Sequence, residues 1–312
     1  MSEPLQVVVA VIRNARGQVL IARRPEHKPQ GGLWEFPGGK REAGESAAVA
    51  LARELREELD IGISQSQPLI RVQQPGLQLE VFEVTGHDGE PRGAEGQPLR
   101  WVDPEDLPEY AFPESNRAIL AAVRLPDRYL ITPQGLDRPG LLKGLRQALV
   151  SGLRLVQLRA PDMFDPDYRD MAVDAAGLCA GRARLMLKGP FEWLGDFPSA
   201  GWHLTASQLR RHAARGRPFG PERWLAACCH DEGGLKWAAD MGVDLVTVSP
   251  VQPTASHPEA APLGWEQAHA LVARASCPVY LLGGLGPAEL PVAREAGARG
   301  IAAIRGLWPA EC

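Results

Sequence analysis

The chain has 312 residues, 45% of them hydrophobic and 23% charged, with a formal net charge of −4. That length exceeds one ordinary compact core and suits two, and the mix is that of a globular protein, not a disordered or collagen-like one. The negative balance gives no general attraction to a nucleic-acid backbone, so a nucleic-acid polymer is excluded as an expected partner and any nucleotide must be captured by a local site.

The N-terminus, Met1-Ser2-Glu3-Pro4, carries no basic region, and the apolar run 7–12 behind it is too short for a signal-peptide core or a membrane span. A cytoplasmic protein with no membrane partner is expected. Strand-like runs follow at 5–13, 18–23, 69–74, 77–84 and 99–102, with helical stretches at 46–60 and 113–124. Strands on both sides of a central helix, closed by a terminal helix, predict a mixed sheet sandwiched between helices. Leu125-Pro126-Asp127 marks the boundary, because proline stops the helix before it. The expected domains are 1–127 and 128–312.

From Tyr129 the rhythm changes to short apolar runs separated by helical stretches, at 129–132, 153–158, 183–187, 201–204, 224–228, 245–248, 278–282 and 300–304. Eight buried-type strands alternating with helices predict a parallel (β/α)8 barrel of the TIM type, with loops in place of helices around 189–200. The whole is an α/β protein. Cys179, Cys228, Cys229, Cys277 and Cys312 form no C-x-x-C pair and are expected as free thiols, mostly buried.

On the 46–60 helix, Glu54, Glu57 and Glu58 lie three and four residues apart and crowd one surface. Interspersed with Arg53 and Arg56, such a run alone reads as a solvated face. Its upstream context, Gly38-Gly39 and Glu45, changes that reading. Glycines let backbone groups approach a metal or phosphate closely, and a carboxylate cluster beside them suits Mg2+, which takes oxygen ligands and keeps places for water and phosphate.

Gly39, Glu45, Arg53, Glu54, Leu55, Glu57, Glu58 and Ile61 fall at the spacing G-x5-E-x7-R-E-U-x-E-E-x-G-U, with U aliphatic. By these residues the segment resembles the Nudix hydrolase family, whose fold is an α/β/α sandwich. One fixed position departs: Asp60 replaces a glycine, and aspartate is expected to close the helix in the left-handed conformation. The resemblance implies hydrolysis of a diphosphate linkage with Mg2+ or Mn2+. It implies Gly39, Glu54, Glu57 and Glu58 as metal-binding, Glu54 as the base, Arg53 as orienting the acids, and Glu45 as supporting the loop.

The likeness to the MutT branch of that family runs from about residue 6 to 125, through Ile12-Arg13-Asn14, Arg23-Arg24, the stretch from Leu33 to Lys40, Glu95-Gly96-Gln97-Pro98, Trp101, Phe112-Pro113 and Asn116. It implies a nucleoside triphosphate substrate, 8-oxo-dGTP above all, cleaved to monophosphate and pyrophosphate, and so sanitation of the nucleotide pool. Glu95 would be a further metal-binding acid. Arg24, Glu35, Phe36 and Asn116 would bind substrate, and an asparagine's donor and acceptor can read a purine edge. The stretch 72–78 departs, lacking the aromatic and arginine expected near the base.

Residues 128–312 resemble thiamine phosphate synthase and its TenI-like relatives through Tyr129-Leu-Ile-Thr132, Val156-Gln157-Leu158-Arg159, Gly201-Trp202-His203-Leu204, the stretch from Ser249 to Thr254, Leu282-Gly283-Gly284-Leu285 and the stretch from Gly297 to Ala302. Gly283, Gly284, Arg305 and Gly306 follow the seventh and eighth strands, where glycine amides can cradle the phosphate of a phosphorylated ligand. The synthase's Asn-Asp pair after the third strand is replaced by Leu187-Lys188-Gly189-Pro190, and a basic residue expected after Arg159 is replaced by Pro161, so no synthase activity is expected. His203, His230 and His257 show no close metal-ligand spacing and are expected to be structural or phosphate-facing. Two other functions stay open from the sequence: hydrolysis of diphosphates of thiamine precursors or analogues, and a barrel that serves as a regulatory ligand-binding module.

Overall fold

The computed structural model describes residues 4–161, 163, 165–254 and 259–309, so that residues 1–3, His257 and Cys312 lie outside the described residues. The chain divides into two compact units between Arg124 and Leu125. No helix among the described residues is long and apolar enough to cross a membrane.

The N-terminal unit holds β1 (Leu5–Ile12), β2 (Val19–Arg23), β3 (Trp34–Glu35), β4 (Gly38–Lys40), α1 (Ala47–Leu59), β5 (Gly62–Gln74), β6 (Leu77–Asp88), β7 (Leu99–Val102) and α2 (Arg117–Arg124). The strands form two sheets, ordered β4-β1-β6-β5 and β3-β2-β7. The first is mixed, because β1 runs parallel to β6 and antiparallel to β4.

Strand β1 is buried on both faces, and its period of two divides it between two cores. Val8, Ala10 and Ile12 pack with Ala50, Leu51, Leu55 and Leu59 of α1, while Val9 and Val11 pack with Ala118, Ile119, Ala122 and Val123 of α2. This alternation makes the sandwich. Ser46 caps α1 by accepting from Val49 N, and Asp60 closes it at φ 55°, ψ 36°, the left-handed conformation expected of it. The first turn of the predicted 113–124 helix is instead a short 3-10 turn, Glu114–Asn116.

The β5–β6 hairpin is longer than its apolar runs suggest, because residues such as Gln65, Ser66 and Gln67 pair through the backbone across register shifts. Two short strands, β3 and β4, also went unpredicted; at two and three residues they carry no periodicity to read.

The C-terminal unit runs β8 (Arg128–Ile131), α3 (Arg138–Val150), β9 (Leu155–Leu158), α4 (Asp165–Cys179), β10 (Arg184–Leu187), β11 (Gly201–Leu204), α5 (Ala206–His212), β12 (Leu225–Cys229), α6 (Glu232–Met241), β13 (Leu245–Val248), α7 (Gly264–Val272), β14 (Val279–Leu282), α8 (Leu290–Glu295) and β15 (Gly300–Ala303). Strands β8 to β15 close into a parallel barrel. Between β10 and β11 a 3-10 turn, Phe191–Gly195, stands where a helix would, as the short spacing there implies.

The barrel interior holds Tyr129, Gln157, His203, Thr247 and Tyr280, all buried. Tyr129 stacks edge-on to Tyr280 with ring centroids 5.5 Å apart. At the start of the unit, the Tyr280 hydroxyl donates to Pro126 O, the Arg299 guanidinium to Leu125 O, and Arg294 Nη2 lies 2.8 Å from Asp127 Oδ2.

Candidate functional sites

The N-terminal unit contains a cavity of about 440 Å³ lined, among others, by Arg24, Lys28, Glu35, Phe36, Gly38, Gly39, Glu54, Glu58, Glu95 and Asn116. Three pieces of local structure converge there. Helix α1 contributes Glu54 and Glu58. Strand β4, held antiparallel to β1, contributes the glycines. The 89–98 loop contributes Glu95; it is tied to the end of α1 because Arg92 N, Ala94 N and the Gln97 side chain donate to the last helix carbonyls, Leu59 O and Glu58 O. Those bonds satisfy carbonyls that a helix end leaves without an intrahelical partner.

Gly38 N donates to Glu58 Oε2 at 3.1 Å. A side chain on Gly38 would meet Val8 O at 2.2 Å, and one on Gly39 would meet the Glu54 carboxyl at 2.3 Å. Only glycines allow the strand to lie against both β1 and the acids.

Arg53 ties several of the acids together. Its Nε and Nη2 reach the two Glu45 oxygens at 2.9 and 3.0 Å, its Nη1 reaches Glu54 Oε1 at 2.9 Å and Glu57 Oε2 at 3.2 Å, and Nη2 also donates to Lys40 O at 3.0 Å. The hydrogen bonds from Arg53 hold Glu45 down to about 2. Glu57 is 59% exposed, turned to Arg53, and does not line the cavity.

Glu58 behaves in the opposite way. Burial, and then the nearby carboxylates of Glu35, Glu54 and Glu95, push it up to about 7 against the single helping bond from Gly38. Burial likewise raises Glu35, although Arg24 Nη1 lies 2.5 Å from its Oε2. Phe36 stacks on Phe112 with centroids 5.4 Å apart, and Asn116, whose Nδ2 lies 3.5 Å from Ser115 Oγ, borders the same cavity.

Among the described residues no group of three or more His, Cys, Asp and Glu side chains is already gathered to hold a metal ion. An open, acid-lined cavity is nonetheless what Mg2+ uses, since it takes one or two carboxylates, backbone oxygen, water and substrate phosphate in preference to an all-protein cage. Glu58 beside Glu35, Glu54 and Glu95 on one cavity wall, with the Gly39 backbone free of a side chain next to Glu54, fits a cation there.

Lys28, Gln30 and Gln97 also line this cavity, and sequence reasoning missed them. Lys28 and Gln30 sit in the turn-rich segment between β2 and β3, where nothing in the pattern separates a site residue from a surface one.

In the C-terminal unit a second cavity, of about 950 Å³, opens at the ends of the strands. Gly283, Gly284, Arg305 and Gly306 all line it, with Gly283 at φ 110° and Gly284 at φ 70°. His203 and His230 line it as well; His203 is buried, and His230 Nδ1 lies 2.7 Å from Ser249 O. Arg159 and Lys188 add fixed positive charge, and the lining contains no Asp or Glu among the described residues.

Residues 8–122 match the family model described as the NUDIX domain, and residues 128–307 the one described as thiamine monophosphate synthase. The N-terminal part is similar to the CTP pyrophosphohydrolase of Escherichia coli (strain K12), 37% identical over 119 residues that cover 37% of this chain and 88% of that one. It is also similar to the 8-oxo-dGTP diphosphatase of the same organism, 33% identical over 124 residues, 38% of this chain and 96% of the other. The C-terminal part is similar to the thiamine-phosphate synthase of Prochlorococcus marinus (strain MIT 9313), 31% identical over 170 residues, 54% of this chain and 48% of that protein.

Proposed function

The chain belongs to the Nudix hydrolases through residues 8–122 and to the thiamine monophosphate synthase family through residues 128–307, and on that premise we propose that it is a Mg2+- or Mn2+-dependent nucleoside triphosphate diphosphatase acting on 8-oxo-dGTP. The observation that carries this reading is the gathering of Glu35, Glu54, Glu58 and Glu95 around one cavity, where their like charges repel. A divalent cation turns that repulsion into binding energy.

Glu54, Glu58 and Glu95, with the backbone of Gly39, would hold the metal, and Glu57, outside the cavity lining, would join them only by turning away from Arg53. When bound, it neutralises charge on the phosphate oxygens and favours ionisation of the attacking water. Glu54 takes the proton from that water as it attacks phosphorus, and Arg53, fixed by Glu45, positions Glu54. Arg24 and Glu35 contact the nucleotide, Phe36 packs against its base, and Asn116 reads the base edge. Pyrophosphate leaves and the nucleoside monophosphate remains.

The relative that hydrolyses CTP makes a pyrimidine triphosphate the competing substrate. Turnover of 8-oxo-dGTP, dGTP, CTP and thiamine diphosphate by the full chain decides among the readings. The highest kcat/KM is expected for 8-oxo-dGTP; a preference for thiamine diphosphate overturns the assignment.

The barrel, in this reading, binds a phosphorylated ligand at Gly283, Gly284, Arg305 and Gly306 and is not a synthase. Among the described residues its cavity lining has no carboxylate to hold the Mg2+ that accompanies a diphosphate, and Lys188 lines it. Formation of thiamine phosphate from the pyrimidine diphosphate and the thiazole phosphate would refute this.

A further inference from the structure

The barrel interior carries a polar chain that a phosphate cradle does not use. The Gln157 amide donates to the Tyr129 hydroxyl at 3.3 Å, and that hydroxyl lies 2.9 Å from His203 Nδ1. His203 Nε2 lies 3.3 Å from Cys228 Sγ and 3.4 Å from Thr247 Oγ1. Lys188 Nζ lies 3.5 Å from the same sulfur. The residues come from five strands and one strand end, and Gln157, Lys188, His203, Cys228 and Thr247 all line the 950 Å³ cavity.

The protons in this chain can be assigned. Burial raises Tyr129 well above the ordinary phenol range and holds His203 well below the ordinary imidazole range, so the hydroxyl keeps its hydrogen and the ring is neutral. A buried hydroxyl hydrogen needs an acceptor, and Nδ1 is the one in reach. The ring hydrogen of His203 is then on Nε2, directed at Cys228 and Thr247. Cys228 thus stands at the end of a run of donors, with a second N–H from the Lys188 ammonium. Of the described cysteines, Cys179, Cys229 and Cys277 are buried, whereas Cys228 is half-buried and borders the cavity.

A nucleophile with an ammonium beside it is the pairing needed for addition to a carbonyl. The sulfur attacks carbon, and the ammonium sits where the new oxygen needs a proton. The same cavity carries Arg159, Arg305 and the paired glycines, with no acid among its described lining residues, which favours an anion.

We propose that the barrel mouth is a thiol site in which Cys228 adds to the carbonyl carbon of a small phosphorylated aldehyde or ketone, with Lys188 as proton donor to the oxygen. The S–C bond forms as the π pair of C=O moves onto oxygen. Lys188 gives that oxygen a proton and recovers one from the thiol, so the sum is addition of S–H across C=O with no redox partner. The substrate class rests on the reading of the barrel as a phosphate-binding unit.

The test uses the full chain and two α-halo ketones, bromohydroxyacetone phosphate and its unphosphorylated parent. Each alkylates a thiol by forming S–C and releasing bromide, with the sulfur's proton passing to solvent. Peptide mass spectrometry locates the label. The expected result is selective labelling of Cys228, about tenfold or more faster with the phosphorylated reagent, slowed by inorganic phosphate, and abolished at that peptide in Cys228→Ser. Lys188→Met should slow it by about tenfold and Lys188→Arg should restore most of the rate, since a charge-assisted donor is lost in one and kept in the other. Circular dichroism and the thermal melt of the full chain serve as the folding check on each variant. Cys228 labelled no faster than Cys179 or Cys229, or unaffected by Lys188→Met, overturns the nucleophile. Equal rates for the two reagents overturn the phosphorylated class and the barrel reading beneath it, leaving the hydrolase reading untouched.

Discussion

Lys28 Nζ lies 2.5 Å from Glu95 Oε2, joining two loops that border the N-terminal cavity and lie 67 residues apart in sequence. Glu95 is one of the acids assigned to the metal, so the ammonium and the cation compete for it. The side chains are 39% and 50% exposed, and exposed pairs are worth about 0–1 kcal/mol. Lys28→Met should therefore lower the Mg2+ concentration for half-maximal turnover by about two- to fivefold and leave kcat within about a factor of two. A Mg2+ titration of turnover reads both. A higher Mg2+ requirement would mean that Lys28 helps to assemble the site.

Glu54→Gln should cut turnover by about two orders of magnitude or more while the melting temperature stays near that of the wild type. The structure explains the second half: Arg53 keeps both bonds to Glu45 and its bond to Lys40 O, so the helix and loop remain tied. Full activity in this variant would move the base elsewhere.

Glu58 gives a pH signature in metal-free protein. Its folded pKa, about 7, lies above the ordinary value of 4.5, so the folded state binds that proton more tightly than the unfolded chain does. The resulting stabilisation is complete below about pH 4.5 and is lost as pH rises to about 7, on the order of 3 kcal/mol in all. Glu35, also raised, acts with the same sign. In EDTA, thermal melts should therefore show stability falling across that window, less steeply in Glu58→Gln. A wild-type stability that rises with pH there would be the wrong sign.

Asn116→Ala should narrow the ratio of kcat/KM for 8-oxo-dGTP over dGTP by about tenfold while the maximal rate on a generic triphosphate changes little, because an unpaired polar edge penalises the wrong base. Equal losses on both nucleotides would make Asn116 a residue of the 3-10 turn and nothing more.

The Nudix helix was legible because its chemistry is written in contiguous residues from Gly39 to Ile61, where spacing alone sets which acids share a face. The barrel strands were legible because a parallel strand buried on both sides must be a short apolar run. Pairs made by the fold were not. Lys28 and Glu95 meet across two loops, and Lys188 and Cys228, 40 residues apart, meet only when the barrel closes. Cys228 carried no signal beyond that of a small residue in an apolar run, so it read as one more buried thiol. The polar ends of the β5–β6 hairpin were hidden because backbone pairing, not side-chain alternation, holds them.

The grip of Tyr280, Arg294 and Arg299 on residues 125–127 decides where this molecule can be spliced. A seam drawn at Pro126, where helix-stopping logic puts it, would cut the barrel away from carbonyls that its own last strands and helix hold. Arg299, only 7% exposed, would give up its bond to Leu125 O, and the buried Tyr280 hydroxyl its bond to Pro126 O, at roughly 0.5–1.5 kcal/mol for each bond. The tripeptide is thus held by residues of the barrel's own last strands and helix. A graft of this barrel onto another protein should begin at Leu125, and spacers inserted after Leu125 or Pro126 should be rejected where one inserted just before Leu125 is accepted.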